Sequence, residues 1–297
     1  MEKLIDAQNR SDLAISLGYK PQTLTYILFQ IPADQKYESW TIPKKNGGFR
    51  EIKSPNEKLK LLQRRVGDQL YAIFNDNVLV SQQELQRQLI HGYIKHRSCI
   101  TNARRHVRKR YILNVDLKDF FPTINFGRVR GFFISSKIFK LDKSVATVLA
   151  QIICDNNELP QGSPSSPIMS NLIASVLDAR LVQLAKKSRC TYTRYVDDIT
   201  FSTNMKCFPK ELAKKNENGI WQIGKVLRKE IERAGFLYNP EKISVQYRRS
   251  RQVVTGLVVN KSVNVPKEYY KNLRAACKAL FGGGIPYDKL LSPSGRF

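Results

Sequence analysis

Two adjacent aspartates, Asp197 and Asp198, constrain this chain more than any other feature. They lie within residues 192–202, a stretch of β-branched and aromatic residues that predicts two short strands with the acidic pair at the turn between them. Carboxylates at one turn repel each other, and Mg²⁺ relieves that repulsion because it prefers carboxylate and phosphate oxygens. The alternative for the pair alone is a solvated turn of the kind that aspartate commonly forms.

A third carboxylate, Asp116, follows a largely apolar run at residues 112–115 that predicts a buried strand. Two-metal phosphoryl transfer needs carboxylates from separate strands, because they hold two ions about 3.5–4 Å apart that clamp the attacking and leaving oxygens. Asp116, Asp197 and Asp198 fit that arrangement as catalytic residues and metal ligands. The alternative for Asp116 alone is a helix N-cap, since helical-looking sequence follows it.

The charge balance indicates a polyanionic partner. Lysine and arginine number 50 and aspartate and glutamate 25, so the formal net charge is 50 − 25 = +25. No run of eighteen apolar residues predicts a membrane span, and the first residues lack the apolar core of a signal peptide. The five cysteines follow no metal-ligand spacing and are typical of reduced thiols, so we expect a cytoplasmic protein with no membrane partner.

Five motifs in order resemble those of reverse transcriptases, and two of the five resemble the retron type specifically. The matching residues are 102–106 (Asn-Ala-Arg-Arg-His), Asp116, 159–167 (Leu-Pro-Gln-Gly-Ser-Pro-Ser-Ser-Pro), 195–198 (Tyr-Val-Asp-Asp) and 254–256 (Val-Thr-Gly). The first and last of these fit the retron elements Asn-Ala-x-x-His and Val-Thr-Gly. One departure is Val196, where retrons more often carry alanine.

The resemblance implies an α+β right-hand polymerase fold with fingers, palm and a partial thumb. In that fold an antiparallel palm sheet packs on helices. We expect the N-terminal helices and fingers in residues 1–110, the palm in residues 111–260, and the start of a truncated thumb in residues 261–297.

Local patterns predict individual elements. The expected elements are two short helices within residues 12–29, a hairpin over 40–53 with a Gly-Gly turn, a helix over about 57–74, a long helix over about 166–186, and a hairpin over 253–260. The first two helices fit either a helix-turn-helix or a packing role. The polar segment 204–219, which carries four lysines, predicts a mobile insertion.

The resemblance also implies a pocket for a deoxynucleoside triphosphate (dNTP). It matches Lys44 and Arg50 to cations that meet the triphosphate, with Lys45 as the competing lysine. An arginine suits this position because its fork donates two hydrogen bonds to one phosphate. Asp119 and Phe120 match positions whose backbone N–H groups meet the phosphates.

Two further positions match groups near the sugar. Phe121 matches the ring that leaves no room for a 2′-OH and so selects deoxynucleotides. Gln161 matches the glutamine near the incoming base and sugar. For the pair Phe120 and Phe121, the alternative is ordinary core packing.

Four arginines and two polar residues match RNA-binding positions. Binding to the phosphate backbone of RNA requires such cations. The side chains assigned to RNA contact are Asn102, Arg105, His106, Arg108, Arg249 and Arg251. Asn102 and His106 lie four residues apart, hence on one face if this stretch is helical. The alternative for His106 is a structural histidine.

The resemblance implies an RNA-directed DNA polymerase that uses two Mg²⁺ ions, with Mn²⁺ as a substitute. A retron enzyme would copy part of its own structured noncoding RNA (msr–msd) from dNTPs into branched msDNA. It would act in antiphage defence with a nearby effector of nuclease, ATPase or TOPRIM type. The alternatives are another bacterial reverse transcriptase, of the defence or group II intron type, and a non-catalytic RNA-binding scaffold.

Overall fold

The computed structural model of this protein describes residues 3–44, 47–79 and 89–282. Its N-terminal part contains short helices, one hairpin and one long helix. These elements are α1 (Arg10–Ser16), α2 (Pro21–Thr25, continued by a π-helical turn, Tyr26–Gln30), β1 (Tyr37–Pro43), β2 (Phe49–Pro55) and α3 (Glu57–Leu79). The two short helices, the hairpin and the long helix predicted from the sequence are confirmed.

Local sequence explains where these elements begin and turn. The Asn9 side chain caps α1 by accepting the backbone N–H groups of Ser11 and Asp12 at 2.9 and 3.0 Å. Between β1 and β2, Gly47 and Gly48 adopt φ angles of +86° and +77°. Residues with a side chain rarely adopt such angles, so this turn requires glycine.

Helix α3 packs through one face. Leu59, Leu62, Val66 and Leu70 recur at helical spacing, and each is at most 3% exposed. This is the face that the sequence pattern predicts. It joins the N-terminal part of the chain to the main hydrophobic core, which the later helices and strands share.

The second part of the chain supplies the central sheet and most of the helices. In chain order its elements are α4 (Cys99–Arg104), β3 (Tyr111–Lys118), α5 (Phe126–Ser135), α6 (Lys143–Ile153), α7 (Ser166–Lys187), β4 (Thr191–Tyr195), β5 (Asp198–Thr203), β6 (Ala213–Lys215), β7 (Trp221–Ile223), α8 (Lys225–Arg233), β8 (Leu237–Tyr238), β9 (Ser244–Tyr247), β10 (Val253–Val254), β11 (Leu257–Val258) and α9 (Lys267–Gly282).

Strand β3 lies in the middle of a five-stranded antiparallel sheet. Strand β5 pairs with one edge of β3 and with β4, while β8 and β9 pair with the other edge of β3. Successive side chains of a strand point to opposite faces. Leu113, Val115 and Leu117 therefore join the main core, and Asn114 and Asp116 point to the opposite face. The predicted α+β fold, with an antiparallel sheet packed on helices, is confirmed.

Helix α7 is the central core helix. Within the described ranges it is the one helix whose length and mean hydropathy of 1.3 would let it cross a membrane, but 72% of that stretch is buried in the protein. Leu172, Leu177 and Leu181 are at most 2% exposed and belong to the main core. The apolar character of α7 is therefore explained by packing within the protein.

The prediction of a mobile insertion at residues 204–219 is wrong. Strands β6 and β7 form a small antiparallel hairpin there, and Phe208 and Leu212 are buried in the main core. The Trp221 ring nitrogen donates to the Tyr247 hydroxyl at 2.9 Å, which ties the hairpin to the end of β9. Few apolar residues anchor this segment, and their partners lie far away in sequence, so local polarity concealed the packing.

The predicted hairpin over 253–260 is confirmed by β10 and β11. Its Val254 packs with Ala103 of α4 and Ile112 of β3 in a second, smaller core. The two predicted domain boundaries, after residues 110 and 260, stay predictions, and so does the expected truncation of the thumb.

Candidate active site

Strand pairing brings the three predicted aspartates together. In the β3–β5 register Asp116 lies opposite Asp198, and in the β4–β5 register Tyr195 lies opposite Asp198. Val196 and Asp197 therefore form the two-residue turn between β4 and β5. Residues directly opposite each other in an antiparallel pair have Cβ atoms about 4.5–5.5 Å apart. The sheet thus places all three carboxylates at one site.

The carboxylates perturb one another. Enclosure by the surrounding protein, with further contributions from Asp197 and Asp116, raises the pKa of Asp198 to about 7. Burial and the charge of Asp116 likewise raise the pKa of Asp197. Asp198 is exposed at the surface of the site, so solvent screens part of this effect. The raised pKa values mean that the negative charges of these carboxylates are unfavourable at this site, and a bound cation would stabilise them.

Lys242 already supplies a cation, and sequence reasoning missed it. Its ammonium nitrogen lies 3.0 Å from each carboxylate oxygen of Asp116. Among the residues that the structure describes, no three His, Cys, Asp or Glu side chains are arranged to hold one ion. The donor set itself fits divalent ions, because all three groups offer hard carboxylate oxygens. Lys242 therefore competes with an ion for the carboxylate oxygens of Asp116.

A cavity of about 830 Å³ opens above the aspartates and contains every residue assigned to the dNTP. These lining residues are Lys44, Arg50, Asp119, Phe120, Phe121 and Gln161. They come from three separate parts of the chain, namely the hairpin β1–β2, residues 119–121 and Gln161, so their convergence is a tertiary result. Lys45, the competing lysine, lies outside the described residues.

The two adjacent phenylalanines differ in burial. Phe120 is 3% exposed and stacks on Phe236 with ring centroids 5.5 Å apart, so its side chain belongs to the core. Phe121 is half-buried at the cavity wall. Its ring meets Phe120 and Tyr93 edge to face, at 5.5 and 6.4 Å. The position of Phe121 suits a ring that faces a ligand, and the position of Phe120 leaves its backbone for that role.

Hairpin β1–β2 is fastened to the Pro-Gln-Gly segment by Lys53, which sequence reasoning also missed. The Lys53 backbone N–H donates to the carbonyl of Gln161 at 2.8 Å, and its ammonium lies 3.1 Å from both Asp155 and Glu158. A Cβ added at Gly162, where φ is +128°, would lie 2.6 Å from the Lys53 carbonyl oxygen. Glycine is therefore required where the two segments meet.

A buried arginine, Arg194, holds the turn between β4 and β5. Arg194 is fully buried and donates to both carboxylate oxygens of Asp178, at 2.8 and 2.7 Å. The Tyr192 hydroxyl donates to the same carboxylate at 2.7 Å. The third guanidinium nitrogen of Arg194, Nη1, donates to the carbonyl of Val196 at 2.9 Å.

Two of the side chains assigned to RNA contact are inside the protein. Asn102 and His106 are both 0% exposed. The ring nitrogens of His106 lie 2.7 Å from the hydroxyls of Ser202 and Thr193. Burial lowers the pKa of His106 to about 3, so the ring is neutral at pH 7. The structure corrects the prediction of direct RNA contact for these two side chains, because neither reaches the surface.

The two retron-like motifs are joined to each other. The Asn102 amide nitrogen lies 3.4 Å from the Thr255 hydroxyl, and Arg108 of the loop after α4 donates to the Lys261 carbonyl at 2.9 Å. The remaining side chains assigned to RNA contact are exposed around this junction: Arg105, Arg108, Arg249 and Arg251. The two motifs thus pack against each other, and the arginines around their junction make its surface cationic.

Known proteins match this chain over most of its length. The profile of the family described as Reverse transcriptase (RNA-dependent DNA polymerase) matches residues 42–266. The Retron Mx65 reverse transcriptase of Myxococcus xanthus is 31% identical, covering 96% of this chain and 69% of its own. The Retron Ec86 reverse transcriptase of Escherichia coli is 33% identical, covering 93% and 79%. The Retron Mx162 reverse transcriptase of Myxococcus xanthus is 32% identical, covering 92% and 59%.

A solved telomerase shares the fold. The telomerase of Candida albicans, in complex with a fragment of telomeric RNA, superposes with a TM-score of 0.52 at 15% identity, covering 77% of this chain and 46% of that one. At that identity the likeness concerns the fold alone. Since the family profile spans most of the chain and two retron enzymes share 31% and 33% identity over more than two thirds of their length, this chain belongs to the reverse transcriptases, of the retron type, and is an RNA-directed DNA polymerase.

Proposed function

We propose that the cavity above Asp116, Asp197 and Asp198 binds a dNTP and two divalent ions, Mg²⁺ or Mn²⁺, and that the enzyme adds the nucleotide to a primer on an RNA template. The observation that carries the proposal is the convergence of three carboxylates, two cations and an aromatic wall in one cavity of about 830 Å³. When bound, the ions would lower the pKa of the primer hydroxyl and neutralise charge on the departing pyrophosphate.

The residues around the cavity would each hold one part of the nucleotide. Lys44 and Arg50 would meet the triphosphate from the hairpin β1–β2. The backbone N–H groups of Asp119 and Phe120 would meet it from the end of β3, where Asp119 has a φ of +46°. The Phe121 ring would exclude a 2′-OH.

The exposed arginines would bind the template RNA. Arg105, Arg108, Arg249 and Arg251 surround the junction of the two retron-like motifs and offer guanidinium groups to phosphates. The buried Asn102 would keep that junction together by its bond to Thr255.

The retron relatives motivate the finer proposal. The enzyme would copy part of a structured noncoding RNA (msr–msd) in the cytoplasm into msDNA, and would act with a separately encoded effector in antiphage defence. This part is supported by the names of the relatives and by the two motifs, and it is tested by the nucleic acid that copurifies with the protein. Recovery of one RNA joined to a DNA copy of itself is expected, and recovery of unrelated cellular RNA only would overturn it.

The catalytic part is tested by primer extension. The purified protein should extend a DNA primer on an RNA template when dNTPs and Mg²⁺ are present. Asp197→Asn and Asp198→Asn should each lower the rate on the order of 10³-fold, because each removes a charge from the metal-binding site. Asp34→Asn, an exposed carboxylate in a turn before β1, is the matched control and should retain full activity.

Two results would contradict the catalytic proposal. Near-normal extension by both site variants would remove the aspartates from the catalytic role. Equal loss in the Asp34 variant would show that the assay responds to charge in general and not to this site.

A further inference from the structure

Tyr93 lies against the catalytic turn on a loop that the sequence motifs do not include. A Cβ added at the preceding residue, Gly92, would lie 2.6 Å from the backbone nitrogen of Val196, so the loop touches the turn directly. The side-chain amide of Asn171 donates to the carbonyl of Gly92 at 3.0 Å, and the backbone N–H of His91 donates to the carbonyl of Arg194 at 2.8 Å. The loop is therefore held on both sides.

The backbone of Tyr93 is unusual. Its φ is +59°, in the left-handed region where a bulky residue is rare. Residues held in this region cost free energy and persist where the surroundings fix them, commonly at functional sites. The contacts of the neighbouring loop residues fix the backbone of Tyr93 in this conformation. The backbone conformation in turn sets the direction of the Tyr93 side chain.

The Tyr93 ring faces the cavity. It is 46% exposed and lines the same cavity as Phe121 and Asp197. Its ring meets the ring of Phe121 edge to face, at 6.4 Å and 67°. Phe121 therefore has Phe120 on one side and Tyr93 on another, and of these two neighbours Phe120 is 3% exposed and Tyr93 is 46% exposed.

We infer that Tyr93 is a positioning residue for nucleotide selection, which holds the Phe121 ring in place at the sugar pocket. The inference rests on the proposed function, since it concerns selection between dNTPs and ribonucleotides. Phe121 can exclude a 2′-OH only while its ring cannot rotate away. An edge-to-face pair opposes that rotation, and removal of the partner ring frees it.

The test measures single-nucleotide incorporation on an RNA template with one dNTP and the matching ribonucleotide. Tyr93→Asn removes the ring and suits a positive φ, because asparagine is enriched in the left-handed region. We expect the ratio of the two kcat/KM values, deoxy over ribo, to fall by roughly threefold to tenfold. Tyr93→Phe keeps the ring and should keep the wild-type ratio.

A double variant identifies the route of the effect. Phe121→Ala should lower the ratio strongly, and Tyr93→Asn with Phe121→Ala should lower it no further, because Tyr93 acts through Phe121. An unchanged ratio in Tyr93→Asn, or equal losses for both nucleotides, would overturn the inference. Additive losses in the double variant would overturn it too.

Two controls keep the outcome clear. Thermal unfolding shows whether Tyr93→Asn is folded, and if it is not, Tyr93→Gly takes its place, because glycine adopts a positive φ freely and carries no ring. Failure of the proposed function has its own signature, since the wild-type enzyme would then incorporate neither nucleotide. Failure of the inference alone would leave wild-type incorporation intact.

Discussion

Arg194 holds the carbonyl oxygen of Val196, the residue immediately before Asp197, by a hydrogen bond of 2.9 Å. Val196 has a φ of +60°, which is a genuine outlier for a β-branched residue. The carbonyl of Asp197 in turn accepts the backbone N–H of Leu117 at 3.0 Å. Two successive peptide oxygens of the turn are thus held, one by a buried guanidinium and one by strand β3, so the aspartates are fixed by their backbone.

Arg194→Lys should therefore reduce catalysis through geometry. Lysine keeps a positive charge beside Asp178, but a single ammonium cannot also replace the bond to the Val196 carbonyl. We expect kcat to fall by about tenfold to a hundredfold with little change in KM for the dNTP. The unfolding free energy should fall by about 1–3 kcal/mol, because a buried donor set is lost.

Steady-state kinetics and urea unfolding check this prediction together. The matched control is Arg180→Lys, because Arg180 pairs with Glu230 at 3.1 Å near the surface, where an ion pair contributes little. An unchanged kcat in Arg194→Lys, alongside reduced stability, would mean that Arg194 supports the core and does not position the turn.

The sequence predicted the parts of this site that depend on local pattern. The apolar run that ends at Asp116 and the β-branched and aromatic residues around Asp197 predict strands, and the strands deliver the carboxylates. The partners of those carboxylates depend on tertiary contacts. Lys242 is 126 residues from Asp116, and no local pattern connects them.

Burial of polar residues was the harder part. The motif containing His106 suggested a surface contact, since an exposed cationic stretch surrounds it. The structure satisfies His106 with hydroxyls 87 and 96 residues away, on β4 and β5. Periodicity reports which apolar residues are inside, but a polar residue becomes buried only where distant partners complete its hydrogen bonds.

Lys242→Gln should strengthen divalent-ion binding in the absence of nucleotide. The Lys242 ammonium bonds both oxygens of Asp116, whose side chain is 14% exposed, and so competes with an approaching ion. We expect binding to tighten by roughly tenfold, since a charge-assisted hydrogen bond contributes about 1.5–3 kcal/mol before solvent screening.

Titration calorimetry with Mg²⁺, or the electron paramagnetic resonance of free Mn²⁺, measures this without any turnover. Lys60→Gln, an exposed lysine on α3, controls for general charge and should bind as the wild type does. Equal affinities in Lys242→Gln and the wild type would show that Lys242 does not compete with the ion.

His106 makes stability depend on pH. Its folded-state pKa of about 3 lies below the unfolded value of about 6.5, chiefly because the ring is buried. Between those values the unfolded chain binds a proton that the folded chain does not. The unfolding free energy should therefore fall as the pH is lowered from 6.5 toward 3, by up to about 1.4 kcal/mol per pH unit.

Denaturant unfolding at several pH values between about 4.5 and 7 tests this dependence. His106→Gln offers an amide in place of the ring and does not titrate, so its slope against pH should be smaller than that of the wild type. His96→Asn, at an exposed position with a φ of +64°, should keep the wild-type slope. Identical slopes in all three proteins would assign the pH dependence to other groups.

The exposed arginines should govern RNA affinity through charge. Arg249→Gln with Arg251→Gln should weaken binding of any structured RNA. The slope of log affinity against log salt should become shallower by about 0.7–0.9 for each phosphate that the variant no longer neutralises. Asn102→Ala should instead lower the unfolding temperature and leave that slope unchanged, because Asn102 is buried at the junction of the two motifs.

Filter binding between about 50 and 200 mM salt measures the slopes of log affinity against log salt. Arg228→Gln, at an exposed position of helix α8, is the control. A salt slope that changes with Arg228 and not with Arg249 and Arg251 would move the RNA surface to helix α8.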